Sequence, residues 1–226
     1  MARQIQAADT LGVPTATFPT FGTLGVVVKD SGNHNYAMSC THVVAAPNNP
    51  NSALLPAESP STADLPKGAN IVGKVWYWIP YENGTNFVDA GLVLLDPAAV
   101  QATNAPLGLA AGQYAMNLKA SDYLLLAGRP LTVFTSRGKV NVTAGQVYGD
   151  VPVELNRKQY SFSWLLSYTA TSGDLRDGDS GAAVVDDATG QFLGLHMAGP
   201  GGGLGYCCIA PLIWQDFPAY SLSIAP

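Results

Sequence analysis

A serine framed by glycines, in Asp177-Gly178-Asp179-Ser180-Gly181-Ala182, stands directly ahead of the apolar run Ala182-Ala183-Val184-Val185. Glycines let a backbone turn sharply and aim successive N–H groups at one point, which a nucleophilic serine needs where negative charge develops on oxygen. The plain structural alternative is a tight turn before a strand. A second candidate is His42, closing the stretch Met38-Ser39-Cys40-Thr41-His42-Val43; alone it would read as a hydrogen-bonded core histidine. The third is Asp89 in Asn86-Phe87-Val88-Asp89-Ala90-Gly91-Leu92, the one charge between Glu82 and Asp96. A carboxylate within an apolar strand is costly unless paired or hydrogen-bonded, so Asp89 either caps a turn at a strand start or orients His42. Asp96, before Pro97, and Asp64, in a Ser/Pro-rich stretch, read as turn residues instead. Serine, histidine and carboxylate together are the parts of nucleophilic catalysis: oxygen attack, proton uptake by imidazole, and tautomer control by the acid.

The elements that must carry these groups read as β-strands. Glycines (24) and prolines (16) punctuate short apolar runs rich in β-branched and aromatic residues, with few long helical periods. Strands are expected over residues 22–29, 36–40, 71–79, 88–95, 123–126, 131–135, 141–148, 161–168, 182–186, 192–197 and 204–210. That is too many for one small sheet, and residues 96–113, rich in Pro, Ala, Asn and Gly, are the best internal linker. The expected organisation is an amino-terminal arm over 1–20, a first barrel over 21–100 holding His42 and Asp89, a linker over 101–120, and a second barrel over 121–226 holding Ser180.

Composition narrows the function. The 226 residues are 47% hydrophobic and only 12% charged, which excludes disorder and coiled coil. A net charge of −5 without a Lys/Arg cluster excludes a nucleic-acid or anionic-membrane footprint, and no apolar run is long enough to span a bilayer. Cys40 and the pair Cys207-Cys208 lack CxxC spacing, and His34, His42 and His196 lack metal-ligand spacing, so no metal is expected. Adjacent strand residues point to opposite faces, so Cys207 and Cys208 should be one inward and one outward. The cysteine pattern and an amino terminus without a signal-like apolar stretch lead to the expectation of a cytoplasmic protein, with a mature secreted form left open.

In the order His42, Asp89, Ser180, each within its local phrase, the chain resembles the chymotrypsin-like serine peptidases, in particular bacterial trypsin-like members. Ser39-Cys40-Thr41-His42-Val43 is similar to the family's Ser/Thr-x-x-His phrase, Val88-Asp89-Ala90-Gly91-Leu92 to its Asp-Ile-Ala-Leu phrase, and Gly178-Asp179-Ser180-Gly181 to its nucleophile motif. Thr143-Ala144-Gly145-Gln146-Val147 resembles the Thr-x-Gly-x-Val strand of bacterial members. The resemblance implies an all-β fold of two six-stranded barrels with the active site in the cleft between them. It further implies an endopeptidase that forms an acyl-enzyme at Ser180, an oxyanion hole from the N–H groups of Gly178 and Ser180, and a peptide or protein substrate, with no cofactor. A catalytically silent member that binds peptides or scaffolds an assembly is the alternative.

No Ile-Val-Gly-Gly activation sequence occurs near the amino terminus, so Asp179 needs an internal cation, for which Arg137 is the first candidate and Arg176 the second. Two features bear on the residue recognised before the cut bond. His196, in Gly194-Leu195-His196-Met197-Ala198-Gly199, resembles the Gly-x-His phrase of glutamyl endopeptidases and picornaviral cysteine proteases, which bind Glu or Gln. Asp174 stands six residues before Ser180, where trypsin-like enzymes keep the acid that selects Arg or Lys. The longer phrase favours His196, with Gly199 on the strand that lines the substrate cleft.

Overall fold

The computed structural model describes residues 2–14, 20–46, 49–60, 70–109, 118–155 and 158–225; Asp64 and part of the expected linker lie outside them. Strands of the first half are β1 (Arg3–Gln6), β2 (Thr10–Val13), β3 (Thr20–Thr23), β4 (Val26–Lys29), β5 (Asn35–Ser39), β6 (Pro56–Glu58), β7 (Ile71–Trp78), β8 (Thr85–Asn86), β9 (Gly91–Leu95) and β10 (Val100–Thr103). The second half supplies β11 (Pro130–Thr135), β12 (Gly138–Tyr148), β13 (Val151–Leu155), β14 (Lys158–Phe162), β15 (Leu165–Ser172), β16 (Ala183–Asp186), β17 (Phe192–Gly201), β18 (Leu204–Ile209) and β19 (Ser223–Ile224). Two short helices, α1 (Thr41–Val44) and α2 (Ala210–Asp216), follow β5 and β18.

Strands β11-β12-β15-β18-β17-β16 close into a six-stranded barrel. Its packing follows from period-two alternation: Val140, Val142 and Ala144 of β12 are buried while Lys139 and Asn141 are exposed. The first half is an eight-stranded sheet in the order β19-β4-β5-β9-β7-β6-β2-β3, curled into a half-barrel, so the two halves together make the two-barrel all-β architecture expected, with more strands in the first half than the six foreseen. Both chain ends join it: β2, from residues 1–20 read as an arm, pairs antiparallel with β3, and β19 pairs with β4, while β1 forms a separate two-stranded parallel sheet with β10.

Two expected strands differ. Residues 123–125 belong to a 3-10 helix over Ala120–Leu125 that Leu126 caps, started where Asp122 Oδ2 accepts from the Lys119 N–H and anchored where the buried Tyr123 hydroxyl donates to Leu193 O. Residues 161–168 split between β14 and β15, because the Ser163 N–H donates to Asn86 O and Trp164 takes a φ of 61°, sending the chain from one sheet to another. Cys207 and Cys208 do face opposite ways, yet both are fully buried: Cys207 in the interior of the closed barrel, Cys208 in the core shared with the first half.

Candidate active site

The ladder between β5 and β9 places His42 against Asp89. Ser39 lies opposite Gly91 at its last rung, so the chain leaving β5 and the chain entering β9 meet at the same end of an antiparallel pair. Helix α1 begins there, and its Thr41 hydroxyl donates to Ala90 O (2.8 Å), which ties the helix to the Asp89 segment. His42 Nδ1 sits 2.6 Å from Asp89 Oδ2. Asp89 is fully buried and precedes β9 rather than standing within it. Burial alone would push its carboxyl up; the His42 charge, with hydrogen bonds from the His42 ring, the Tyr81 hydroxyl and the His42 N–H, outweighs this and holds it below the ordinary carboxylate range.

Ser180 rides a loop between β15 and β16 that the first half grips. The Thr23 N–H donates to Ser180 O (2.8 Å) and the Thr23 hydroxyl to Gly178 O (2.9 Å), while the Gly181 N–H donates to His196 O (2.7 Å). Gly178 and Gly181 have φ of 93° and 91°, a region that costs any residue with a Cβ, so the glycines around the serine are required by the turn. Among the described residues the N–H groups of Gly178 and Ser180 have no acceptor. Ser180 Oγ donates to Met197 O (3.0 Å). Behind the serine, Asp179 is fully buried; its Oδ2 accepts from Arg137 Nη2 (2.5 Å) and the Arg176 N–H (2.8 Å). The internal cation is Arg137, the first candidate from the sequence.

His42, Gly178, Ser180, His196 and Gly199 line one cleft of about 380 Å³, large enough for a substrate side chain. Asp174 is not among its lining residues; it pairs with Arg176 Nε at 2.8 Å, and both side chains are more than half exposed. His196 is buried, with Nδ1 2.5 Å from the Tyr168 hydroxyl. Burial, with a smaller effect of the His42 charge, pushes the His196 pKa down to about 4.

The trypsin-like peptidase family model matches residues 22–195, most of the chain and all three candidate groups. The chain belongs to this family. Solved structures share the peptidase's fold at low identity. Thermobifida fusca protease A is 16% identical with a TM-score of 0.62, each chain 98% covered. Nocardiopsis protease is 13% identical with a TM-score of 0.63, covering 99% of this chain and 100% of that one. A glutamic-acid-specific serine protease, described as using a histidine triad in substrate binding, is 16% identical with a TM-score of 0.62, covering 98% of this chain and 100% of that one. No curated protein matches the chain in sequence.

Within the peptidase, the donor atoms of Cys40, His42 and Asp89 lie within 4.8 Å of one another. The set does not suit a metal ion, because burial holds the Cys40 thiol protonated and both Asp89 oxygens are occupied by His42 and Tyr81. Three contributors escaped sequence reasoning: Thr23, Tyr81 and Tyr168. None sits in a distinctive local phrase, and each acts through a partner that the chain reaches only after folding.

Proposed function

We propose that the peptidase is a serine endopeptidase working through Ser180, His42 and Asp89, with an acyl-enzyme intermediate. The observation that carries this reading is the 2.6 Å contact from His42 Nδ1 to a fully buried Asp89, in a cleft that His42 shares with Ser180. The reaction requires Ser180 Oγ to leave Met197 O and donate to His42, with which it shares the cleft. Oγ then bonds to the peptide carbonyl carbon as its proton passes to His42 Nε2, and the N–H groups of Gly178 and Ser180 hold the oxyanion. The C–N bond breaks with proton return from His42 to the leaving amine. Water, deprotonated by His42, then cleaves the ester. Strand β17 continues past its last β16 pairing, Ala183 with Leu195, so the backbone near Ala198 and Gly199 is available to an extended peptide.

For the residue before the cut we propose glutamine or glutamate, bound by His196. The Tyr168 hydroxyl has one proton; its contact with His196 Nδ1 is far shorter than the 3.5 Å to Tyr206 O, and burial keeps the phenol protonated. A neutral imidazole accepting at Nδ1 carries its proton on Nε2, a donor suited to a side-chain carbonyl or carboxylate oxygen. The specificity named for the glutamic-acid-specific relative of the same fold supports this. A peptide-library cleavage profile tests both halves: Gln or Glu should precede the cut, Ser180→Ala should cleave nothing, and Tyr168→Phe should lower the Gln/Glu preference by about 10-fold. An Arg or Lys preference that disappears only in Asp174→Ala would overturn the choice of His196.

A further inference from the structure

We propose that Tyr81 is a positioning residue of the catalytic group: its hydroxyl fixes the second oxygen of Asp89 and so sets how strongly Asp89 holds the His42 ring. The inference rests on the proposed roles of His42, Asp89 and Ser180. Asp89 Oδ2 is taken by His42, and Oδ1 has two donors, the Tyr81 hydroxyl at 2.6 Å and the His42 N–H at 3.3 Å. Only the hydroxyl is short. A fully buried carboxylate without a strong donor on one oxygen can turn, and turning would carry the imidazole with it.

Tyr81 is itself held by the other half of the molecule. It lies between β7 and β8, 3% exposed, with its ring edge-on to Tyr160 (centroids 4.7 Å apart) and Phe162 (5.4 Å). Those rings belong to β14, whose Ser161 and Phe162 pair in parallel with Thr85 and Asn86 of β8. The β13–β14 hairpin therefore packs against the phenol ring and holds it beside Asp89. Packing alone does not explain a tyrosine here, since phenylalanine would fill the same space; the hydroxyl adds only the bond to Asp89.

The other titratable groups facing Asp89 are His42 and the thiols of Cys40 and Cys208, with His196 beyond His42. Both thiols are kept protonated by burial, and the Cys40 thiol donates to His196 O (3.3 Å), so the phenol and the His42 ring are the short polar contacts of the carboxylate. A phenol that donates draws charge from the carboxylate. Removing it makes Asp89 a stronger acceptor for the His42 Nδ1 proton, yet a less firmly oriented one.

Tyr81→Phe and replacement of Tyr81 by difluorotyrosine, whose more acidic phenol donates more strongly, are compared with wild type by peptide hydrolysis and by the proton NMR resonance of His42 Nδ1–H. In Tyr81→Phe, kcat should fall by about 10-fold to 100-fold with KM unchanged, because Tyr81 does not line the cleft. The acid limb of its kcat/KM profile should move to higher pH, and the Nδ1 proton should move downfield. Difluorotyrosine should move both the limb and the proton the other way. If the resonance stays at its wild-type position in the folded variants, the proposal is wrong. A wild type that hydrolyses no peptide would instead sink the peptidase mechanism, and the resonance would still decide whether Tyr81 tunes the His42–Asp89 bond. Should Tyr81→Phe not fold, the difluorotyrosine shift decides alone.

Discussion

A histidine kept neutral is a residue-scale device with a measurable cost. His196 takes a proton near 6.5 when unfolded but only at about 4 inside the barrel. Between those values the folded chain binds fewer protons than the unfolded chain, so stability should fall as pH drops from about 6.5 toward 4, by at most roughly 3 kcal/mol from this group. Burial raises the carboxyls of Asp9 and Asp216, which act in the opposite sense, but both remain in a His196→Gln variant and cancel in the comparison. Denaturant midpoints at pH 7 and pH 4.5 check it: the wild type should lose more than His196→Gln, and equal losses would show that His196 does not carry the slope. At this scale the sequence is legible where a position follows from a local phrase: His42 meets Asp89 and shares the cleft with Ser180, and Arg137 reaches Asp179. It is silent on Thr23, whose bond to Gly178 spans 155 positions, and on Tyr168, which is 28 positions from His196. No local pattern encodes such contacts.

The central element is the turn that carries Ser180, and an ion pair between the half-exposed Arg137 and the buried Asp179 holds its shape. Among the described residues Asp179 Oδ1 has no partner, so Arg137 and the Arg176 N–H, both on Oδ2, hold the carboxylate. Arg137→Met should leave a buried carboxylate unpaired and cost about 1–3 kcal/mol, less than for a fully buried pair because the Arg137 side chain is 43% exposed. Adding Asp179→Asn should return much of the lost stability. Thermal unfolding of the single and double variants checks this, and equal melting of Arg137→Met and wild type would remove Arg137 from the account. The strand that follows the turn, β16, was readable as a short apolar run of small and β-branched residues, all of them buried in the fold. The segment near Tyr123 was not, since its apolar residues suit a strand or a one-sided helix equally, and the contacts of Asp122 and Tyr123 decide between them.

Over the whole molecule, function arises because each half supplies what the other lacks. The first half brings His42 and Asp89 and grips the serine loop through Thr23; the second brings Ser180, His196 and the hairpin that packs on Tyr81. The two-part β architecture was visible in the spacing of strands and linker residues. The joining of the ends was not, because β1 finds its partner at Val100–Thr103 and β19 at Val28 and Lys29, pairings that no local pattern encodes. The central claim is that Ser180 is a nucleophile activated by His42 and Asp89, and the most direct measurement is intact mass after treatment with a fluorophosphonate. One adduct per chain is expected, located on Ser180 by peptide mapping, absent in Ser180→Ala and much slower to form in His42→Ala. An unlabelled folded wild type, or an adduct that persists in Ser180→Ala, would contradict it.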